Sequence, residues 1–308
     1  MKKPTQWQIG IVLIVGIVGV SLAAIWIRLA NDVVASNNRV GFSLFLAASR
    51  LIVAALILLP IQKNFQRKNT IPATLYYAIA AGICLAIHFA TWVTSLAYTS
   101  IAASTVLVTT NPIWVGLFNW WWYQEKLSKQ NIIGITIALV GGIIIAIADR
   151  EVGANYSNPI LGDILALLGA VMSSLYIIFG SQAQRQGLST GNYIAIAYSV
   201  SALCLFPLPL LFQTSYLGYP QPVYLYILLM AVMSQAIGHT SLNWSVRWIS
   251  PTVVSLSLLF EPVIASCVGA IVFAEIPSWN LLLGGLIILL GMAVFLFDSL
   301  LENQKKPN

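Results

Sequence analysis

Four side chains that carry charge or exchange protons sit inside long apolar runs: Arg50, His88, His239 and Glu261. Glu261 stands between Phe260 and Pro262, a carboxylate beside a helix breaker in a stretch that is otherwise hydrocarbon-soluble. An ionised group at mid-membrane costs at least about 2.5–3.5 kcal/mol on the most lenient scale. Three arrangements relieve that cost: an ion pair between Arg50 and Glu261, exposure of Glu261 to a water-filled cavity, or protonation of the carboxyl. The first is structural and the others are functional. Residue types leave all three open, and Pro262, which opens a helix, favours the cavity.

Uncharged polar residues recur around these groups at helical spacing. Gln235, His239 and Asn243 share one face, as do His88, Thr91, Trp92, Ser95 and Thr99. Ser104 and Asn111 are seven apart, with Trp114 one turn further. Ser250, Ser257 and Glu261 lie on one side of another segment, and Ser21 with Trp26 and Ser173 with Tyr176 add two more. Stripes of this kind point to a shared hydrated cavity. For any single Ser or Thr the better account is a hydrogen bond to a neighbouring helix, worth about 0.6–2 kcal/mol. The Gln235/His239/Asn243 ladder is better explained as cavity lining, whereas His88 fits either a cavity or a buried neutral imidazole.

The expected roles follow. Trp92 forms an aromatic wall, and Asn111, Gln235 and Asn243 orient polar groups of a substrate. Glu261 or His239 carries a coupling proton or attracts an amine. Trp26, His88, Tyr176 and Ser257 are further lining candidates, and Pro112 and Pro262 are hinge candidates. An enzyme using His88, His239 and Glu261 is the weaker alternative, because neither an HExxH nor a DxD-like signature is present. The three cysteines, Cys84, Cys204 and Cys267, lie in apolar runs without CxxC pairing, so neither disulfides nor a metal site is expected, and no cofactor.

These residues must be positioned by membrane helices. Of 308 residues, 59% are hydrophobic and only 8% charged, too few to cover a water-facing surface. Ten apolar runs are long enough to cross about 30 Å of hydrocarbon: 9–30, 40–60, 73–96, 100–122, 130–148, 160–182, 192–212, 222–246, 250–273 and 280–298. The first is too long for a signal peptide and is expected to be retained. With a cytoplasmic N-terminus, eleven Lys and Arg fall on cytoplasmic segments and two, Arg39 and Arg150, on the other side. Both termini are therefore expected in the cytoplasm. The net charge of +6 reports this orientation and is not a nucleic-acid signal. Trp120-Trp121-Trp122-Tyr123 is expected to form an interfacial belt.

The chain also repeats. At an offset of 150 positions Gly19 falls on Gly169, Trp26 on Tyr176, Ser100 on Ser250, Pro112 on Pro262, Glu125 on Glu275, Gly134 on Gly284 and Gly141 on Gly291. Each copy, residues 9–149 and 159–299, holds five spans, so the second enters the membrane from the opposite side. The expected fold is an all-α integral membrane protein of ten helices in two inverted five-helix repeats. The paired glycines are expected to serve helix packing or a dimer contact. Pro112 and Pro262 deprive the carbonyls of Val108 and Leu258 of their helical donors.

Ser100…Pro112…Glu125…Gly134…Gly141 and its second copy, with Arg50 in span two, resemble the EamA-type family of the drug/metabolite transporter superfamily. His88-Phe89…Trp92…Ser95-Leu96…Thr99-Ser100 and Gly238-His239…Asn243 resemble one subgroup. The resemblance covers roughly residues 10–298. It implies an inner-membrane permease, monomeric or homodimeric, that moves small metabolites such as amino acids, often outward. It also implies a cavity lined by spans 1, 3, 4, 6, 8 and 9. Asn111 in the first copy stands where the second has Glu261, so the two half-sites are chemically unequal. An uncoupled facilitator or exchanger is the alternative within transport. A non-transporting scaffold is disfavoured by the short loops.

Overall fold

The computed structural model describes residues 4–34, 37–62, 72–123, 128–151, 157–249, 254, 257–274 and 277–305. Glu125, Glu275 and Ser250, three of the repeat landmarks, lie outside the described residues. The elements are helical throughout these residues. They run α1 (Gln6–Ser21), α2 (Ala23–Val34), α3 (Arg39–Gln62), α4 (Pro72–Ser95), α5 (Ile101–Val108), α6 (Asn111–Tyr123) and α7 (Lys129–Glu151) in the first half. The second half holds α8 (Pro159–Arg185), α9 (Thr190–Leu205), α10 (Pro207–Leu211), α11 (Gln221–Leu229), a π-helix (Met230–His239), α12 (Thr240–Ser245), α13 (Phe260–Phe273) and α14 (Trp279–Lys305).

Among the described residues, seven helical stretches are long and apolar enough to cross a membrane: Gln6–Val34, Arg39–Leu58, Ala73–Ser95, Ile101–Trp122, Pro159–Arg185, Thr190–Leu211 and Gln221–Ser245. The fifth, ninth and tenth expected spans are represented by the shorter apolar helices Lys129–Ile145, Phe260–Phe273 and Trp279–Phe295. The burial pattern is inverted relative to a water-soluble domain. Leu203, Leu211 and Ile271 are more than 70% exposed, while Arg50, Ser95, Ser174 and Gln235 are fully buried. Only a hydrocarbon solvent makes that distribution favourable, so the chain is a multi-pass membrane protein.

Helix caps set the ends of several spans. Thr5 and Gln8 form a reciprocal capping box at α1. Ser100 caps α5, Asn158 caps α8 and Ser189 caps α9. Trp120, Trp121 and Trp122 are exposed at the end of α6, as an interfacial belt requires.

The central packing joins α4 to α8 and α9, α3 to α9, and α1 to the π-helix and α12. At the periphery α7 and α14 cross through paired glycines. A Cβ on Gly134 would lie 2.6 Å from the Gly291 carbonyl oxygen, and one on Gly141 would lie 2.6 Å from that of Gly284. The reverse also holds, with Gly291 against Gly134 and Gly284 against Gly141. The two helices are therefore antiparallel, and under the 150-residue offset the two contacts are one contact made twice. The glycines serve this internal crossing. A G141A substitution should lower thermal stability by about 1–3 kcal/mol through overpacking. G142A, whose Cβ meets nothing within 4 Å, should not. Detergent-solubilised melting curves of the two variants check this.

Candidate functional site

Two helices break in the middle of the bundle. Helix α5 ends at Val108, and Thr109 and Thr110 turn before α6 begins at Asn111. Three-residue hydrogen bonds from Thr110 N to Leu107 O (3.2 Å) and from Ile113 N to Thr110 O (3.0 Å) hold the turn. Pro112 is the second residue of α6, a position where no helical donor is needed. In the second half a turn at Leu258–Leu259 precedes α13, and Pro262 is its third residue. The carbonyl of Leu258 is not idle: it accepts from the Glu261 N–H at 2.9 Å. Asn111 and Glu261 thus occupy matching first turns, where unsatisfied backbone N–H groups favour a carboxylate or an anionic ligand.

Between these turns lies a cavity of about 100 Å³. It is lined by His88 and Trp92 of α4, Asn111 of α6, Tyr176 of α8, His239 and Asn243 on either side of the π-helix end, and Glu261 of α13. The imidazole of His88 is stacked on Trp92 at 6.0 Å with a 3° interplanar angle. Its Nδ1 lies 2.9 Å from the Gly169 carbonyl oxygen. A carbonyl only accepts, so Nδ1 carries the proton and Nε2 is left for another partner. Gly169 allows this approach, since a Cβ there would lie only 3.3 Å from Trp92 and 3.6 Å from His88. Asn243 Nδ2 donates to Tyr176 Oη and to the His239 carbonyl, both at 2.8 Å. Asn111 Oδ1 is buried without a hydrogen-bond partner, while its backbone carbonyl accepts from Ser174 Oγ at 2.8 Å.

Behind this lining is a charged layer. Arg50 of α3 is fully buried and donates from Nη2 to Gln235 Oε1 at 2.8 Å. Its guanidinium sits 4.2 Å from the centroid of Phe89, and an edge-on neighbour of Phe89 is His239, at 5.5 Å. A cation over an aromatic face in a dry site is worth about 2 kcal/mol or more. Arg50 is hydrogen-bonded to Gln235, and Glu261 is close enough for the two charges to act on each other.

The structure thus gathers Trp92, Asn111, His239, Asn243, Glu261, His88 and Tyr176 around one space. Gln235 and Arg50 lie one layer out. Trp26 stacks on Tyr226 at 6.2 Å, and Ser257 is half-buried before α13; neither belongs to the lining. Ser95 and Ser104 bond each other at 2.7 Å, joining α4 to α5, which is the plain helix-bridging role of such hydroxyls. Three contributors are not marked out by residue spacing. Phe89 seats Arg50, and its signal is its place between His88 and Trp92 in the subgroup pattern. Ser181 and Gln184 lie at the cavity mouth, and only their polarity near a span end distinguishes them. Asp163, like Arg50, is a buried charge-bearing side chain, 5% exposed near the start of its span, whereas Glu261 is half-buried at the cavity.

A membrane-embedded bundle whose two halves each supply a broken helix to one central polar cavity has the form of a solute carrier. The chain belongs to the EamA-like transporter family, whose model matches residues 10–147 and again 160–297. Among its relatives, an uncharacterized transporter of Archaeoglobus fulgidus is 24% identical over 199 residues, covering 64% of this chain and 68% of the relative. The uncharacterized transporter YdfC of Bacillus subtilis is 23% identical, covering 61% and 60%. An uncharacterized vacuolar membrane protein of Saccharomyces cerevisiae, YML018C, is 32% identical over 119 residues, covering 33% and 30%. A solved crystal structure matches the fold with a TM-score of 0.64 at 15% identity, covering 98% of this chain and all of its own.

The Arg50–Gln235 contact makes a direct prediction. Q235L removes the hydrogen bond of a buried cation and should cost about 1.5–3 kcal/mol of stability. R50M in addition should recover part of that loss, because no charge is left stranded. Melting temperatures of the wild type, Q235L and Q235L/R50M check both signs.

Proposed function

We propose that this protein is a secondary transporter for a small metabolite, an amino acid or related compound, working by alternating access. Its ten crossings would comprise the seven long stretches and the three shorter apolar helices, arranged as two inverted repeats over residues 9–149 and 159–299. The observation that carries the reading is the pair of broken helices that bring Asn111 and Glu261, equivalent under the repeat, to one cavity. Irregular backbone is tolerated at membrane depth where it lines such a cavity. The reciprocal glycine contacts of α7 and α14 support the inverted arrangement, since one contact is made twice by antiparallel helices.

In this reading Glu261 attracts the ammonium group of the substrate or carries a coupling proton. Asn111 and Asn243 orient polar groups, with Asn111 Oδ1 already lacking a partner in the cavity. His88 and Trp92 form an aromatic wall, and Tyr176 fixes Asn243. Gln235 acts from behind by holding Arg50. Pro112 and Pro262 act as hinges at the breaks. With both termini in the cytoplasm of the cell, Arg185 and Arg247 mark the cytoplasmic face, and the protein sits in the inner membrane. A cavity that opens on that face is suited to loading a substrate for export.

Reconstitution into liposomes tests the reading. Uptake of a radiolabelled amino acid panel is expected to respond to an imposed pH gradient. E261Q is expected to lower the rate at least about tenfold, the scale of one lost charge-assisted contact. Unchanged transport by E261Q at every pH would remove both roles from Glu261. Gradient-independent transport with a functional Glu261 would select a facilitator or exchanger instead.

A further inference from the structure

The cavity is sealed on one face of the bundle and open on the other. On the open face its lining continues through Ile177, Gly180, Ser181 and Gln184 of α8 and Val246 beyond α12. A further hollow of about 300 Å³ lies between Ser181, Gln184, Arg185, Val246 and Arg247. At the 150-residue offset Ile177, Gly180 and Val246 correspond to Ile27, Ala30 and Leu96. Those three are completely buried, each at 0% exposure. Equivalent positions are therefore packed shut in one place and line an opening in the other.

The sealed face is strapped by polar contacts. Arg28 Nη2 donates to the Thr99 carbonyl at 2.8 Å, and Thr99 Oγ1 donates to Asp163 Oδ1 at 3.2 Å. Arg39 Nη1 donates to the Ala97 carbonyl and to Ser157 Oγ, both at 3.0 Å. These bonds tie α2 and the start of α3 to the α4–α5 turn, and that turn to α8. The counterparts of Arg28, Thr99 and Asp163 are Ile178, Ile249 and Leu13, all apolar. Leu13 and Ile249 already share an apolar cluster. The Arg28–Thr99–Asp163 strap thus has no polar equivalent under the repeat; Arg39, Ala97 and Ser157 correspond to Ser189, Arg247 and Trp7, and the opposite end of α8 carries a different polar contact, Thr74 Oγ1 to Gln186 Oε1 at 3.1 Å.

We propose that the Arg28–Thr99–Asp163 and Arg39–Ala97–Ser157 contacts are the latch of one gate. Ile177, Ile178, Val246 and Ile249 form the opposite gate, which closes when the two halves exchange conformations. The inference rests on the transporter reading above. Its consequence is a resting preference: charge-assisted bonds hold the strapped face shut, while at the opposite face the counterparts of Arg28, Thr99 and Asp163 are apolar and supply no such bond. Breaking the latch shifts the population towards the other state, because a two-state equilibrium follows the difference in contacts between its states.

The test uses a matched pair of probes in a chain whose Cys84, Cys204 and Cys267 are replaced by serine. Ile27→Cys reports on the strapped face and Ile177→Cys on the open one. In nanodiscs, with a membrane-impermeant maleimide reaching both faces, I177C should label quickly and I27C slowly. Removing the straps together with Arg28→Ala, Arg39→Ala and Asp163→Ala should raise the I27C rate at least about tenfold and lower the I177C rate at least about twofold. That scale is set by roughly a factor of ten per charge-assisted bond. A rise at I27C with I177C unchanged would mean a leak, and no change at either site would mean no latch; both overturn the proposal. If the triple variant does not fold, Arg39→Ala alone, at the exposed rim, should still raise I27C labelling, and an unchanged rate there overturns it too. Transport that proceeds without reciprocal labelling would count against the gate alone. Reciprocal labelling without transport of any solute would count against the transporter reading alone.

Discussion

A helix that breaks inside hydrocarbon exposes peptide groups that lipid cannot satisfy. The bundle is organised around two such breaks, at Thr109–Thr110 and Leu258–Leu259. Each is partly closed by tight backbone bonds, from Thr110 to Leu107 and from Glu261 to Leu258. Ser174 adds a hydroxyl from α8 to the Asn111 carbonyl. The remaining polar groups need water or a ligand, so the space around the breaks has to be polar and enclosed by protein. That requirement explains why α4, α8, the π-helix and α12 turn their polar residues towards the same point and their apolar residues towards lipid.

Close approach of helices is the second requirement, since the cavity exists only if its walls pack tightly elsewhere. Gly19 lies against the carbonyl of Met233 and against Gly238, so α1 meets the π-helix backbone to backbone. Gly169 plays the equivalent part for α8, admitting His88 and Trp92. The π-helix widens the backbone where this contact falls and places Gln235 towards Arg50 and His239 towards the cavity. π-helical turns are rare and concentrate at functional sites. Arg50, clamped between Gln235 and Phe89, stiffens α3, α4 and the π-helix against one another behind the lining.

Much of this could be read from residue spacing. The unequal pair Asn111 and Glu261 and the matched prolines concern the offset between the copies, which a sequence displays directly. The layer to which each polar residue belongs was not legible. Gln235 and His239 lie four residues apart on one stripe, yet one bonds Arg50 and the other lines the cavity. A π-helix changes the angular step per residue, and helical periodicity at 3.6 residues per turn cannot anticipate it. Trp26 shows the same limit in another form. Its repeat partner Tyr176 reaches the cavity, while Trp26 is drawn aside to stack on Tyr226. Asp163 was hidden by position, since a carboxylate near a span end normally faces water.

The departures from symmetry are as informative as the symmetry. Two copies of one fold need equivalent packing, and the α7–α14 glycines retain it residue for residue. The lining of the cavity between them has no such need. Glu261 opposite Asn111 places a carboxylate on one side of the cavity and a neutral amide on the other. Tyr176 and Asn243 on the second-half side bond each other, whereas His88 on the first-half side bonds the Gly169 carbonyl across the boundary. Symmetric scaffold and asymmetric lining therefore answer different physical demands. Helix packing is indifferent to which copy supplies a glycine, whereas a cavity between the copies presents different polar groups on its two sides only where the copies differ.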